Sequence, residues 1–336
     1  MSTPCPFDPE LGPILAASPA VLTATVRPQD LPGLAAATAK PPPTPAEFIG
    51  AREIQAVEYT VPGYQGDEIN VYIFTRKDRK STTKAPLFYY MHGGGMVMGY
   101  RLLGADFLLP YVEQFDGVLA AVEYRLAPKH QYPTPVEDCY AGLVWLATRG
   151  EELGFDPKRI MIVGHSAGAG LGAGVGLLAR DRGGPHIAWQ LLAAPMLDDR
   201  NATGSSRQYD SIGVWNANSN QTGWGAYLGD ELGGPNVSIY AAPARAVESE
   251  KGLANLPPTY LDVGSAEVFR DEVVAYANGI WAAGGNADLH VWAGGFHGFD
   301  LWGTPRITQE ALATRQNWVR RMLEWNPVSQ AYEAHS

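Results

Sequence analysis

The sequence predicts an α/β fold in which a mostly parallel central sheet is flanked by helices. The first observation is that two alternating segments near the amino end of the chain have the pattern of an antiparallel strand pair. The second is that short apolar runs then alternate with helical stretches along most of the remaining sequence. The third is that a segment rich in Gly, Asn, Ser, Trp and Pro interrupts this alternation and is expected to form a helical cap over the sheet.

The predicted strand pair comprises residues 54–61 and 68–75, in which apolar and polar side chains alternate. Residues 62–66, Pro-Gly-Tyr-Gln-Gly, separate the two segments and contain residue types that favour a turn. We therefore expect two antiparallel strands at the start of the sheet.

Six further apolar runs have the length and composition of buried strands. Helical stretches separate them, and this order is typical of parallel strands that are joined by crossover helices. The predicted strands lie at residues 87–91, 118–122, 160–163, 190–192, 259–263 and 289–292.

The remaining segments are expected to surround this sheet. Residues 1–50 combine a short helical pattern at residues 9–17 with a Pro-rich stretch, which predicts an arm that contributes to the cap. Residues 199–251 are the predicted cap insertion, over the carboxyl ends of the strands. Residues 51–198 and 252–336 would then form the main domain.

Composition and charge restrict the classes of partner. Apolar residues make up 46% and charged residues 18% of the chain, as expected for a compact globular protein. The formal net charge of −10 and the lack of a Lys/Arg-rich block argue against a nucleic-acid or anionic-membrane partner, because both bind clustered positive charge. No apolar run approaches the ~20 residues of a membrane span.

Cysteine usage and the amino end of the sequence bear on the compartment. Cys5 and Cys139 cannot form a disulfide framework, and neither lies in a CxxC pair. Residues 1–10 lack the basic region and the continuous apolar region of a secretory signal. We therefore expect a cytoplasmic protein.

A candidate nucleophile lies in the run Gly-His-Ser-Ala-Gly at residues 164–168. A buried-strand pattern at residues 159–163 precedes this run, and a helical pattern at residues 169–180 follows it. Strand, sharp turn and helix are the context that holds such a serine with its hydroxyl exposed. The flanking glycines leave space where a Cβ atom would clash. This context favours Ser166 as a catalytic nucleophile.

A second glycine-rich run, His-Gly-Gly-Gly at residues 92–95, follows the predicted strand at residues 87–91. A loop at this place can supply backbone N–H groups to a tetrahedral intermediate, and glycine permits the close approach. The alternative, a phosphate-binding loop, is disfavoured because the Gly-Lys-Ser/Thr ending is missing.

In these motifs the chain resembles the hormone-sensitive-lipase-like branch of the α/β-hydrolases. The match comprises both glycine-rich runs and, between them, Tyr-Arg-Leu-Ala-Pro at residues 124–128, Tyr-Pro at 132–133 and Val-Glu-Asp at 136–138. It spans roughly residues 85–300, and residues 8–11 are similar to the start of that family's amino-terminal cap helix. The resemblance implies that the main domain is an α/β-hydrolase catalytic domain.

The resemblance also implies roles for individual residues. The backbone N–H groups of Gly93, Gly94 and Ala167 would form the oxyanion hole. Residues 124–128 would be structural and would support the loop at residues 92–95.

The residue before the serine departs from the family pattern. His165 stands where the family usually has Asp or Thr. On a sharp turn the side chain next to the serine points away from it, so we do not expect His165 to be the general base.

The candidate general base is His297. It lies in the run Gly-Gly-Phe-His-Gly-Phe at residues 294–299, downstream of the serine, as this fold requires. The Gly-Phe-His-Gly run also resembles the corresponding run of the family.

No pair of histidines has the HExxH spacing of a zinc hydrolase, so we expect no metal site. The other histidines are His92, His130, His165, His186, His290 and His335.

Three acids could complete the site, namely Asp262, Glu267 and Asp271, and the residues alone leave the choice open. The family pattern Gly-x-x-Asp-Pro-Leu-Arg-Asp aligns with residues 264–271, which implies Glu267 as the triad acid and Asp271 as a structural acid. Glutamate in place of aspartate is the second departure. A glutamate can still orient an imidazole, because the role needs a carboxylate. Asp262 remains the alternative.

We therefore expect a serine hydrolase that cleaves carboxylic esters of short to medium acyl chain through an acyl-enzyme intermediate, with no cofactor. The expected partner is a small-molecule ester, and the resemblance implies a homodimer. Apolar residues of the arm and the insertion are expected to furnish the substrate pocket; they are Ile14, Leu22, Leu34, Trp215, Trp224, Tyr227 and Tyr240.

Two other functions stay open at this point. The same triad could act on a lactone or an amide, or could transfer the acyl group to another acceptor in a biosynthetic pathway. The family that the chain resembles also includes hormone receptors that kept the pocket and lost the base histidine. Because His297 is retained, a non-catalytic binding function is the weaker alternative.

Overall fold

The structure is a computed structural model that describes residues 3–17, 25–37, 42–79 and 85–324. Leu22, His335 and residues 325–336 of the predicted main domain lie outside the described residues, as do parts of the predicted arm.

Within the described residues, one sheet is formed by eight strands, β1 (Ile54–Pro62), β2 (Glu68–Arg76), β3 (Leu87–Met91), β4 (Val118–Glu123), β5 (Ile160–His165), β6 (Trp189–Ala193), β7 (Thr259–Gly264) and β8 (Ala287–Trp292). Their order across the sheet is β1-β2-β4-β3-β5-β6-β7-β8. β1 pairs with β2, and β2 with β4, in antiparallel orientation, and all the other neighbours are parallel. The predicted α/β fold with a mostly parallel sheet is therefore confirmed, and the ends of the predicted strands differ from the observed ones by at most two residues.

The helices of the described residues are α1 (Leu11–Ala17), α2 (Leu31–Ala37), α3 (Pro45–Ile49), α4 (Leu109–Gln114), α5 (Thr134–Ala147), α6 (Gly150–Leu153), α7 (Ala167–Arg182), α8 (Gly204–Gln208), α9 (Ala217–Leu228), α10 (Arg270–Ala282) and α11 (Arg306–Glu324). Short 3-10 helices lie at Pro28–Asp30, Tyr64–Gly66, Asp106–Leu108, Gly229–Glu231, Pro243–Glu248 and Phe299–Leu301. No helix in this part of the chain has both the length and the apolar character that crossing a bilayer requires.

Helices bury both faces of the parallel sheet, which is why its central strands are almost continuously apolar. Successive side chains of a strand point to opposite faces, so Tyr89 packs in one core and Tyr90 in the other. The first core contains side chains of α5, α7 and α10, whereas the second contains side chains of α3, α4 and α11. The sheet is thus enclosed by two helical layers, and its strand ends are held in place.

The amino-terminal segment contacts both the insertion and a loop of the main domain. Leu11 packs against Phe296 in a small separate core, and Asp8 N donates a hydrogen bond to Gly294 O (3.0 Å). Tyr209 of the insertion donates its hydroxyl to the carbonyl of Cys5 (3.1 Å). The division of the chain into an arm, a main domain and a cap stays a prediction.

Candidate active site

The predicted site residues follow three strands at the same edge of the sheet. Ser166 comes directly after β5, Glu267 three residues after the end of β7, and His297 in the loop after β8. Because these strands are parallel, their carboxyl ends meet at one edge, which is where α/β proteins bind ligands. Residues that lie more than 100 positions apart in sequence are thereby brought together.

The backbone at Ser166 is strained. Its φ of 57° and ψ of −121° lie outside the regions that residues with a side chain usually adopt, in a sharp turn between β5 and α7. The neighbouring backbone is close enough to exclude other residues at the flanking glycine, since a Cβ atom on Gly168 would lie 2.2 Å from Met91 O. The strand, turn and helix predicted around the serine are therefore present.

Three side chains form a continuous hydrogen-bonded chain. Ser166 Oγ lies 2.8 Å from His297 Nε2, and His297 Nδ1 lies 2.6 Å from Glu267 Oε2. The other carboxylate oxygen, Oε1, accepts a hydrogen bond from Gly264 N at 2.9 Å. All three side chains are buried. Because a carboxylate only accepts hydrogen bonds, Nδ1 of the imidazole carries the proton and Nε2 faces the serine hydroxyl with a lone pair.

The two other candidate acids lie elsewhere. Asp262 receives a bidentate hydrogen bond from Arg315, at 2.8 and 2.9 Å. Asp271 accepts from Ser205 N at 2.7 Å and pairs with Arg270. Among the described residues, Glu267 is the only carboxylate that contacts His297.

The glycine-rich loop after β3 lies against the serine. A Cβ atom on Gly93 would be 3.2 Å from Ser166 Cβ, and Gly94 has a φ of 119° that favours glycine. The N–H groups of Gly93, Gly94 and Ala167 donate no hydrogen bond to any described residue. Ala167 is the first residue of α7, so its N–H has no acceptor within the helix.

Residues 124–128 contact this loop, in line with the supporting role that the family resemblance implies. Tyr124 donates its hydroxyl to His92 O at 2.7 Å, and the two rings are stacked with centroids 4.3 Å apart. Ala127 N donates to Met96 O at 2.9 Å. These contacts hold the loop in place.

His92 lies at the base of the same loop and is fully buried. Its Nδ1 donates to the carbonyl of Gly93 at 2.7 Å. Burial lowers the pKa of His92 from 6.5 to about 4, although the hydrogen bond to Gly93 opposes this shift. The folded protein therefore holds this imidazole in its neutral form.

The structure places His165 beside the site, where its ring contacts Asp300, whereas the serine hydroxyl contacts His297. His165 Nε2 lies 3.2 Å from Asp300 Oδ1, and Asp300 Oδ2 accepts from Arg315 at 2.6 Å. Sequence reasoning missed Asp300 and Arg315. Asp300 follows His297 by three positions, a signal that could have been used. Arg315 gave no signal, because an arginine on a long polar helix is normally solvent-exposed.

The predicted pocket residues differ in exposure. Trp224 and Tyr227 are fully buried, and Tyr240 donates its hydroxyl to Asp181. Trp215 lies against the glycine-rich loop, because a Cβ atom on Gly95 would be 2.2 Å from its ring. Ile14 packs in the small core of the amino-terminal segment.

Among the described residues, no three His, Cys, Asp or Glu side chains lie close enough together to bind a metal ion.

Comparison with known proteins identifies the family. The family model described as an alpha/beta hydrolase fold matches residues 88–301. The chain belongs to the α/β-hydrolases. This α/β-hydrolase is 33% identical over 241 residues to Esterase LipI of Mycobacterium tuberculosis (strain ATCC 25618 / H37Rv), which covers 71% of this chain and 72% of the relative. Carboxylesterase NlhH of M. tuberculosis (strain CDC 1551 / Oshkosh) is 29% identical over 299 residues, or 86% and 88% of the two chains.

Solved structures agree with this assignment. The α/β-hydrolase superposes on the structure titled Bacterial Heroin Esterase with a TM-score of 0.83 and 34% identity, covering 95% of this chain and 98% of the other. It superposes on the hyperthermophilic esterase from Pyrobaculum calidifontis with a TM-score of 0.76 and 25% identity, covering 94% and 99%. The family that the motifs predict is therefore confirmed.

The tight packing at Gly168 generates a stability prediction. A Cβ atom there would also lie 2.3 Å from His92 O, and two backbone oxygens cannot move without disturbing β3 and the loop after it. We expect Gly168→Ala to lower the free energy of unfolding by about 1–3 kcal/mol or more, as measured by urea denaturation. Gly33→Ala is the control, because nothing lies within 4 Å of a Cβ atom at that position. Equal stability of wild type and Gly168→Ala would contradict the close contact.

The buried neutral His92 makes stability depend on pH. The pKa is 6.5 in the unfolded reference and about 4 in the folded protein, so the unfolded state binds more protons between these values. Stability therefore falls as the pH is lowered through this window. From about pH 7 to about pH 5 we expect the unfolding free energy to fall by about 2 kcal/mol more in wild type than in His92→Asn. Parallel pH profiles of the two proteins would show that His92 is protonated as easily in the folded as in the unfolded state.

Proposed function

We propose that the chain is a serine carboxylesterase that cleaves small carboxylic esters through an acyl-enzyme intermediate. The observation that carries the proposal is the hydrogen-bonded chain from Ser166 Oγ through His297 to Glu267. This chain lies next to backbone N–H groups that donate to no acceptor among the described residues. A nucleophile, a base and an orienting acid in this arrangement are the requirements for acyl transfer.

In the first half of the reaction, Ser166 Oγ attacks the acyl carbon while His297 Nε2 accepts the hydroxyl proton. The distance of 2.8 Å between these atoms allows direct proton transfer. The tetrahedral intermediate then collapses, the C–O bond to the alcohol breaks, and the imidazolium returns the proton to the leaving oxygen. In the second half, water attacks the acyl-enzyme, with the same imidazole as base, and releases the acid.

Glu267 would act through the imidazole. Its Oε2 accepts from Nδ1 at 2.6 Å, which keeps Nε2 available to the serine and stabilises the positive charge that forms on the ring. The hydrogen bond from Gly264 N to Oε1 fixes the carboxylate, so the longer glutamate side chain keeps one orientation. This support makes glutamate a workable replacement for the family's aspartate.

The N–H groups of Gly93, Gly94 and Ala167 would bind the oxyanion. Such donors stabilise charge that is absent in the bound ester, so they lower the barrier rather than tighten ground-state binding. The position of Ala167 at the first turn of α7 adds the positive end of the helix dipole.

The relatives support a carboxylic ester as the substrate, because LipI is named an esterase and NlhH a carboxylesterase. We further propose a short to medium acyl chain. The indole of Trp215 lies against Gly95, so a bulky ring limits the space beside the proposed oxyanion hole. A cytoplasmic location and a homodimer stay predictions.

The nucleophile is tested with nitrophenyl esters of increasing acyl length. We expect kcat/KM to be highest for short and medium acyl chains, and Ser166→Ala to lower it by about 10⁴-fold or more. Ser211→Ala is the matched control, because Ser211 is exposed. Similar rates for wild type and Ser166→Ala would refute the proposed mechanism.

The acid is tested by comparing two conservative variants. We expect Glu267→Gln to lower kcat by about 10⁴-fold, since the neutral amide no longer stabilises the imidazolium or selects its tautomer. Asp262→Asn should mainly lower the free energy of unfolding, by about 3 kcal/mol, because it weakens a buried pair with Arg315. Measurement of kcat per folded protein separates the two effects, and a larger loss of kcat in Asp262→Asn would move the acid to that residue.

A further inference from the structure

His165 is buried, and its imidazole contacts two loops of the site. Its Nε2 lies 3.2 Å from Asp300 Oδ1, in the short helix that directly follows the His297 loop. Its Nδ1 faces the other loop, because a Cβ atom on Gly93 would be 3.2 Å from that nitrogen and 3.1 Å from His165 O. The His165 and His297 rings lie 5.9 Å apart. One side chain therefore lies between the loop of the base and the loop of the proposed oxyanion hole.

The partner of His165 is itself rigidly held. Asp300 Oδ2 accepts from Arg315 at 2.6 Å, and Arg315 makes a bidentate pair with Asp262 in β7. All four side chains are buried, and Arg315 and Asp262 are each only 1% exposed. The chain of contacts therefore runs from the end of β5, directly before the serine, through the loop of the base and α11, to β7, which precedes the acid.

The charges explain why a histidine occupies this position. The carboxylates of Asp262 and Asp300 and the guanidinium of Arg315 together carry a net charge of about −1. They lie in a buried region, where charges interact strongly. Burial raises the pKa of Asp300, but the charge of Arg315, with a smaller contribution from His165, outweighs burial and holds this pKa below its ordinary value. An aspartate at position 165, one of the two residues that the family usually has there, would set a second carboxylate against that of Asp300.

We propose that His165 is a positioning residue for the reaction: its hydrogen bond to Asp300 fixes the loop of His297 relative to Ser166. The inference rests on the proposed function, since it assigns a role in that same triad. The hydrogen bond joins the residue before the nucleophile to the residue three positions after the base. Loss of this bond lets the base shift relative to the hydroxyl, and a displacement of about 1 Å can cost about 10²-fold in rate.

Glutamine and glutamate provide a matched pair of replacements. Each carries a terminal polar atom three bonds from Cβ, as does Nε2 of histidine, and the two differ only in charge and in the ability to donate. His165→Gln keeps a donor toward Asp300, whereas His165→Glu sets two carboxylates against each other. The double variant His165→Glu/Asp300→Asn restores a hydrogen bond, but now the side chain at position 300 donates and the side chain at position 165 accepts.

The test measures kcat, KM and the rate of inactivation by a serine-directed phosphonate, each per folded protein, at about pH 9, where an ordinary carboxyl group is ionised. We expect kcat to fall by about 10²-fold in His165→Glu with KM changed less than about 3-fold. His165→Gln and the double variant should stay within about 5-fold of wild type. His186→Glu is the control, because His186 is exposed near the opposite end of the sheet and should leave all three values unchanged.

Equal kcat in His165→Gln and His165→Glu would overturn the inference, and so would a double variant that is as impaired as His165→Glu. A purely structural role would lower the melting temperature in all variants without this pattern in kcat, which also overturns it. A wild-type protein that neither hydrolyses esters nor reacts with the phosphonate would refute the proposed function, and the inference with it. An active wild type that lacks the pattern would refute the inference alone.

Discussion

The conformation of Ser166 determines how the surrounding elements pack. A residue with φ 57° and ψ −121° is strained, and it persists only where the neighbouring structure holds it. The turn is held from several sides, because Ser166 N donates to Ala193 O in β6 and Ser166 O accepts from Met196 N. Gly168 then lies directly on the backbone of β3, which brings the loop after β3 to the serine. This sharp turn thus sets both the position of the Ser166 hydroxyl and its distance to the proposed oxyanion donors.

Buried charge is the second constraint, and the protein meets it by pairing. The site region buries Glu267, Asp262, Asp300 and Arg315, and an isolated buried charge is strongly unfavourable. Each of these charges therefore has a partner on another element, so the pairs also tie the strand ends and loops together. Glu272 is the exception. Burial raises its pKa well above the usual range, although the hydrogen bonds that its Oε1 accepts from Leu197 N and Asp198 N oppose this shift. The same two hydrogen bonds support the loop after β6.

These two constraints connect the fold to the proposed chemistry. Parallel strands deliver Ser166, Glu267 and His297 to one edge, and the charged pairs behind them restrict how far each loop can move. Acyl transfer needs such restriction, because proton transfer and oxyanion binding both depend strongly on distance. The strained backbone at the serine lowers stability, and the two cores that enclose the sheet offset this cost. In this protein the sheet supports the site, while the residues that follow its strands supply the polar groups.

The sequence alone determined the strands and the family, because these depend on local patterns and short motifs. It also predicted Ser166 as the nucleophile and His297 as the base, and the family resemblance implied that Tyr124 supports the glycine-rich loop. Only the tertiary structure decided which carboxylate contacts His297. Asp262 and Glu267 lie five positions apart, and the twist and end of β7 direct one toward Arg315 and the other toward the imidazole. The sequence likewise did not reveal the partner of His165. Asp300 contacts His165, and Arg315 contacts Asp300, only when three elements that are distant in sequence pack together. Contacts between elements depend on the relative placement of backbones, which no local pattern contains.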